Sequence, residues 1–195
     1  MSAGSDELAR GLRERLGVGE LVTSCGQSAV LVGVQDWVAA ARCARDELGC
    51  VLFDHLMVAD AGGPGEQGVQ WGTSWDVVLH VVALPADGLL VRTTVSRDGV
   101  LPSVSGVWAG AAWPEREAAE MAGLQVSGHP DLRPLLLAPG AGLRPLRKEA
   151  LLVSRSVRAW PGRLEPGEDG SGEGPRAGRR RAAVPGVAPE GWAQG

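Results

Sequence analysis

The sequence predicts an α+β fold: a small mixed β-sheet with helices packed on one face, followed by an extended C-terminal arm and a disordered tail. Three observations carry that expectation. Two apolar runs between Trp75 and Val95 flank an Asp87-Gly88 turn, as in a hairpin. Before them, segments alternate in the order helix, strand, helix, strand. From Pro161 onward, fourteen of the last 35 residues are Gly or Pro, and five basic residues cancel five acidic ones. That Gly and Pro load exceeds the roughly 25–30% typical of chains without a packed core.

Ser5 to Gly17 is predicted as a helix: Ser5 can cap it, Leu8, Leu12 and Leu16 share one stripe, and Gly17 can end it. Ala29 to Val34 is an apolar run of strand length. In Gln35 to Leu48, the residues Trp37, Val38, Ala41, Ala44 and Leu48 fall on one helical face, and Gly49 is a plausible stop. Cys50 to Val58 reads as a second strand and Gly62 to Gly68 as a glycine-rich loop. Trp75 to Leu84 is the clearest strand. Both its faces are mainly apolar, which puts it in the interior of its sheet. Leu89 to Val95 returns beside it.

Composition limits what the chain can do. The 195 residues are 44% hydrophobic but only 4% aromatic, so alanine, valine and leucine must fill the core. A net charge of −4 carries no basic footprint for nucleic acid. Cys25, Cys43 and Cys50 are odd in number and lack CxxC spacing; they read as small buried hydrophobes of a cytosolic chain rather than a disulfide or metal framework. No apolar leader is evident, and Val77 to Leu84, the longest strongly apolar run, falls far short of the ~20 residues that span a bilayer. Any membrane association is therefore expected to come through a partner.

Catalytic signatures are absent from the sequence: no GxGxxG after a strand, no phosphate loop, no GxSxG elbow, and no HExxH among His55, His80 and His129. Glu115 and Glu117, two apart in the first turn of a helix opened by Trp113-Pro114, point in different directions and complement the helix dipole. Gly123 can close that helix. Beyond it, Pro130, Pro134, Pro139 and Pro145 keep the chain extended. Glu115, Arg116, Glu117, His129, Asp131 and Arg133 look too polar for a core, so this arm is expected to lie against a charge-matched partner.

The spacing in this stretch is distinctive. Glu115-Arg116-Glu117 is followed by Glu120, Met121-Ala122, His129, Arg133 and Leu135, and then by Pro145-Leu146-Arg147-Lys148-Glu149. Upstream lie Phe53-Asp54-His55-Leu56 and Pro102-Ser103-Val104. In these residues the chain resembles the 30 kDa (C-type) subunit family of respiratory complex I, over roughly Leu31 to Glu149 and most specifically in its last third. The family usually has aromatics where Ala119, Ala122 and Ala150 stand here.

The resemblance implies a domain over 1–150 with its signature in 101–149; composition adds an extended arm and a Gly/Pro-rich disordered tail over 151–195. The resemblance also implies a non-catalytic peripheral-arm subunit of a proton-translocating NADH-quinone oxidoreductase, on the cytoplasmic side of the cell membrane. Its implied partners are the D-type (49 kDa) subunit near the quinone-reducing region and other peripheral-arm subunits. NADH, flavin, iron–sulfur clusters and quinone would be bound by other chains. The implied partner-binding set is Glu115, Arg116, Glu117, Glu120, His129, Arg133, Arg147 and Lys148. The alternatives are the equivalent subunit of a membrane-bound hydrogenase or ferredoxin-driven complex, and a free-standing binding module that has lost its partner.

Overall fold

The computed structural model describes residues 3–24, 27–61, 63–65, 68–70, 72–147 and 150. Lys148, Cys25 and the arm and tail expected over 151–195 lie outside them. Helix α1 (Ala3–Leu16) starts two residues ahead of the expected Ser5 cap, which therefore sits inside the first turn. It stops at Gly17, whose φ of 66° is accessible to glycine and whose N–H bonds the Arg13 carbonyl at 3.0 Å.

Strands β1 (Glu20–Ser24) and β2 (Gln27–Leu31) pair antiparallel. A 3-10 turn over Val34–Asp36 leads into α2 (Trp37–Asp46), which buries Trp37, Ala40, Ala41, Cys43 and Ala44. Next come β3 (Leu52–Asp60) and a short ribbon of β4 (Gly63–Gly65) and β5 (Gly68–Gln70), in what the sequence suggests is only a loop. The long hairpin is β6 (Ser74–Ala83) with β7 (Asp87–Ser96).

These strands form one mixed sheet in the order β1-β2-β7-β6-β3, with β2 parallel to β7 and the other neighbours antiparallel. The inner face carries Leu56, Trp75, Val77, Leu79, Val81, Leu89, Val91 and Val95, all buried. Ala9 and Leu12 of α1 and the apolar face of α2 join them in a single core. Each large side chain so buried contributes roughly 1.5–3 kcal/mol. As composition requires, the core is built of valine, leucine and alanine around Trp37, Trp75 and Trp108.

Strand β6 does lie inside the sheet, between β7 and β3. Among the described residues, however, helices close only one of its faces. Val78, His80 and Val82 on the other face are half-buried and lie outside the core cluster. His80 meets Asp54 there at 2.8 Å, and Arg92 pairs with Asp76.

Beyond the sheet, β8 (Val100–Pro102) runs parallel to β9 (Gln125–Ser127). Between them a 3-10 turn (Ala109–Ala111) leads into α3 (Ala112–Glu117), which ends in a π turn (Ala118–Ala122). Pro114 is the third helical residue rather than the first. It still lies within the first turn, where a missing N–H costs nothing. Gly123, at φ 80°, closes the segment.

Candidate partner-binding segment

The entry to α3 is fixed by Trp108, whose indole N–H donates to the Cys50 carbonyl at 3.2 Å. One turn later Glu115 faces inward and is fully buried. Its Oε1 accepts the Val104 N–H at 2.7 Å, and its Oε2 accepts the Ser103 hydroxyl at 2.5 Å. Burial pushes the Glu115 carboxyl above its ordinary value; the bonds from Ser103 and Val104, and His129 nearby, pull the other way.

His129 is buried beside it, with Nε2 3.8 Å from Glu115 Oε2. The His129 Nδ1 accepts the Asp131 N–H at 2.9 Å. In a neutral ring Nε2 must then carry the proton, and it donates to the Ala112 carbonyl at 2.9 Å. The expectation that Glu115 and His129 are too polar for the interior therefore does not hold. Their partners come from the 103–104 loop and from backbone groups, so each is satisfied within the chain.

The residues that follow hold a strap, 128–147, against the helix. The Arg116 guanidinium donates from Nε and Nη2 to the Arg133 carbonyl at 3.0 and 2.7 Å, and from Nη2 to the Pro134 carbonyl at 3.0 Å. The Glu120 carboxylate accepts three successive backbone amides, those of Leu135 and Leu136 at 2.8 Å and of Leu137 at 2.9 Å. These bonds, Leu136 foremost, hold its carboxyl below the ordinary value. From the far end of the strap, Arg144 donates to the Ala119 and Glu120 carbonyls at 2.9 and 2.6 Å, and Arg147 to Ala122 at 2.8 Å. Helix-terminal carbonyls that lack internal partners are thereby satisfied by cations, which also suit the negative end of the dipole.

Two members of the predicted set face outward. Glu117 is exposed, and Arg133 is exposed while paired with Asp131 at 2.7 Å. Arg133 holds the Asp131 carboxyl well below the usual carboxylate range. The structure thus gathers Glu115, Arg116, Glu120, His129 and Arg147 into one internal network. Ser103 and Arg144, which lie outside the predicted set, complete it. Only their nearness to the Pro102-Ser103-Val104 and Pro145-Leu146-Arg147 motifs signals them in the sequence.

Of the three alanines that stand where the resemblance leads one to expect aromatics, Ala122 is fully buried. Ala119 lines an open groove of about 440 Å³ with Leu124, Val126, Leu132 and Pro134. Ala150 donates its N–H to the Arg147 carbonyl at 3.0 Å. Among the described residues no cluster of His, Cys, Asp and Glu could hold a metal ion, and no helix is long and apolar enough to cross a membrane.

Comparison with known proteins bears on the whole domain. The family model of the respiratory-chain NADH dehydrogenase 30 kDa subunit matches residues 30–156. The C-type subunit of NADH-quinone oxidoreductase from Mesorhizobium japonicum is 33% identical over 153 residues, 76% of this chain and 73% of that protein. Its counterpart from Paramagnetospirillum magneticum is 31% identical over 133 residues, 68% of this chain and 64% of the relative's length. Two solved structures share the fold. A trypsin-resistant fragment of Nqo5 superposes with a TM-score of 0.52 at 21% identity, over 66% of this chain and 99% of the fragment. A chain of a membrane-bound sulfane sulfur reductase, an archaeal respiratory membrane complex, gives 0.54 at 17% identity, over 73% of this chain and 83% of that chain.

Proposed function

The chain belongs to the 30 kDa subunit family of respiratory-chain NADH dehydrogenase, and from that membership we propose that it is a non-catalytic peripheral-arm subunit of an NADH-quinone oxidoreductase, scaffolding the D-type (49 kDa) subunit near the quinone-reducing region. The observation that carries the reading is the strap. Arg116, Glu120, Arg144 and Arg147 fix an otherwise irregular, proline-rich segment to α3. A segment held in one conformation binds a partner without losing ordering entropy at that moment. In this reading the signature charges act mainly by holding the strap, while exposed Glu117 and Arg133 touch the partner. Electron carriers and quinone sit in other subunits, and the chain reaches the cytoplasmic side of the membrane only through the assembly.

The test is co-expression with the D-type subunit. Joint purification at fixed stoichiometry is the expected result. Purification of this chain alone, under conditions where the D-type subunit is folded, overturns the proposal.

A further inference from the structure

Glu115 is fully buried, and among the described residues the groups that bond it are neutral: the Val104 N–H on Oε1 and the Ser103 hydroxyl on Oε2. The titratable side chain that faces it from the strap is His129. Its Nε2 stands 3.8 Å from Oε2, beyond hydrogen-bonding range, and donates to the Ala112 carbonyl instead. His129 accepts the Asp131 N–H on Nδ1, which keeps the ring uncharged. On its own helix, Arg116 turns to the Arg133 and Pro134 carbonyls, and Glu117 lies exposed. Of the charged or titratable side chains among the described residues, only His129 acts on the Glu115 carboxyl. A buried carboxylate with no cation bonded to it favours its neutral form, and burial pushes this carboxyl upward.

A proton also has a place to sit there and a way out. Oε1 can keep the Val104 bond in either state, so the proton belongs on Oε2, facing Ser103. Ser103 Oγ lies 2.5 Å from Oε2 and 2.6 Å from Ser105 Oγ, and either serine can donate to the other. With Glu115 ionised, Ser103 donates to Oε2 and accepts from Ser105. With Glu115 protonated, Oε2 donates to Ser103, and Ser103 donates to Ser105. The same heavy-atom positions serve both arrangements. Ser105 is half-buried and opens the turn to exposed Gly106, where an added Cβ would meet nothing within 4 Å. From this geometry we infer that Glu115 is a proton-binding site inside the domain, loaded and emptied through the Ser103–Ser105 hydroxyl chain. On release, the Oε2–H bond breaks and its proton bonds to Ser103 Oγ. Ser103 passes its own proton to Ser105, and Ser105 passes one to solvent water. One proton leaves in all, a carboxylate remains, and uptake runs the same steps in reverse. The site belongs to the chain itself and does not depend on the subunit reading.

The test is infrared spectroscopy of the full chain, with Glu115→Gln as the reference. Wild type should show the carbonyl band of a protonated carboxylic acid, absent from Glu115→Gln, that persists above pH 4.5, the ordinary glutamate value. A band that has already disappeared at or below that pH overturns the inference, and this measurement needs no further variant. The route is tested by Ser105→Thr and Ser105→Val, which have the same shape and differ in the hydroxyl. After a pH drop from a photoreleased acid, the band should rise in Ser105→Thr as fast as in wild type, and at least about tenfold more slowly in Ser105→Val. Equal rates in Ser105→Val and Ser105→Thr overturn the hydroxyl chain as the path.

Discussion

The carboxylate of Glu120 receives the backbone N–H of Leu136 at 2.8 Å, across sixteen residues of sequence and between its bonds to the two neighbouring amides. One side chain thereby fixes three consecutive peptide units that have no secondary structure of their own. Glu120→Ala should free all three. Hydrogen exchange at the Leu135, Leu136 and Leu137 amides should accelerate strongly, while the amides of β6 and β7 stay protected. The sign of the pH dependence follows from the lowered pKa of Glu120. The stabilisation is fully present above the ordinary glutamate value of 4.5 and is lost as pH falls through the lower folded value. Acid should therefore loosen the strap in wild type and have little further effect at these amides in Glu120→Ala.

Arg116→Ala removes the fork on the Arg133 and Pro134 carbonyls. The expected result is local opening rather than global unfolding. Thermolysin should cut at Leu135 to Leu137 several-fold faster, while the melting temperature falls by no more than a few degrees. Arg116→Lys should restore only part of the protection, because an ammonium lacks the planar fork that reaches both carbonyls. Equal cutting of wild type and Arg116→Ala would show that the strap is held elsewhere.

Glu115→Ala leaves the Val104 N–H unpaired in the interior, while the Ser103 hydroxyl keeps its bond to Ser105 Oγ at 2.6 Å. An unsatisfied buried group costs about 1–3 kcal/mol, or roughly 2–4 °C in melting temperature for each kcal/mol in a domain of this size. Glu115→Gln keeps the shape and one acceptor oxygen for the Val104 N–H, turns the other position into a donor toward the Ser103 hydroxyl, and removes the charge. Because burial raises the Glu115 pKa, the carboxyl favours the folded state most below its ordinary value of 4.5. That advantage is lost as pH rises from there through the raised value. Melting curves across acid and neutral pH should show wild type losing ground to Glu115→Gln over that interval and running parallel to it above.

Introducing aromatics should separate two alanines one helical turn apart. Ala122 is fully buried, and Ala122→Phe forces bulk into a packed site at a cost of typically 1–3 kcal/mol. Ala119 borders an open groove, so Ala119→Phe can settle against Leu124 and Pro134. Thermal melts should fall for the first and hold or rise for the second. The opposite order would mean that the groove is filled by another part of the protein.

How much of this was legible in the sequence varied with the reach of the interactions. The β6–β7 hairpin declared itself through two apolar runs flanking Asp87-Gly88, and the ends of α1 and of the segment after α3 through Gly17 and Gly123, because those signals are local. Strand β1 and the β8–β9 pair were missed: they are three to five residues long and exist only through pairing partners elsewhere in the fold. The same limit applied to the site. Spacing alone marked Glu115, Glu120 and His129. It could not show that Glu115 meets Val104, or that Glu120 meets amides fifteen to seventeen residues on. Polarity suggested an outward face, and the partners that satisfy these groups are mostly backbone atoms, with the Ser103 hydroxyl, which composition does not register.

The parallel alignment of β2 with β7 also sets an order of events during synthesis. Ala29 lies opposite Leu90, and Leu31 opposite Arg92. The place that β1 and β2 take in the sheet therefore does not exist until the ribosome has passed residue 92. Until then the apolar side chains of α1 and α2 have no sheet to cover, and the nascent chain carries them exposed for several seconds at ordinary elongation rates of roughly 5–20 residues per second. A stall or truncation before the β6–β7 hairpin emerges would leave an amino-terminal half whose only route to burial is through another chain.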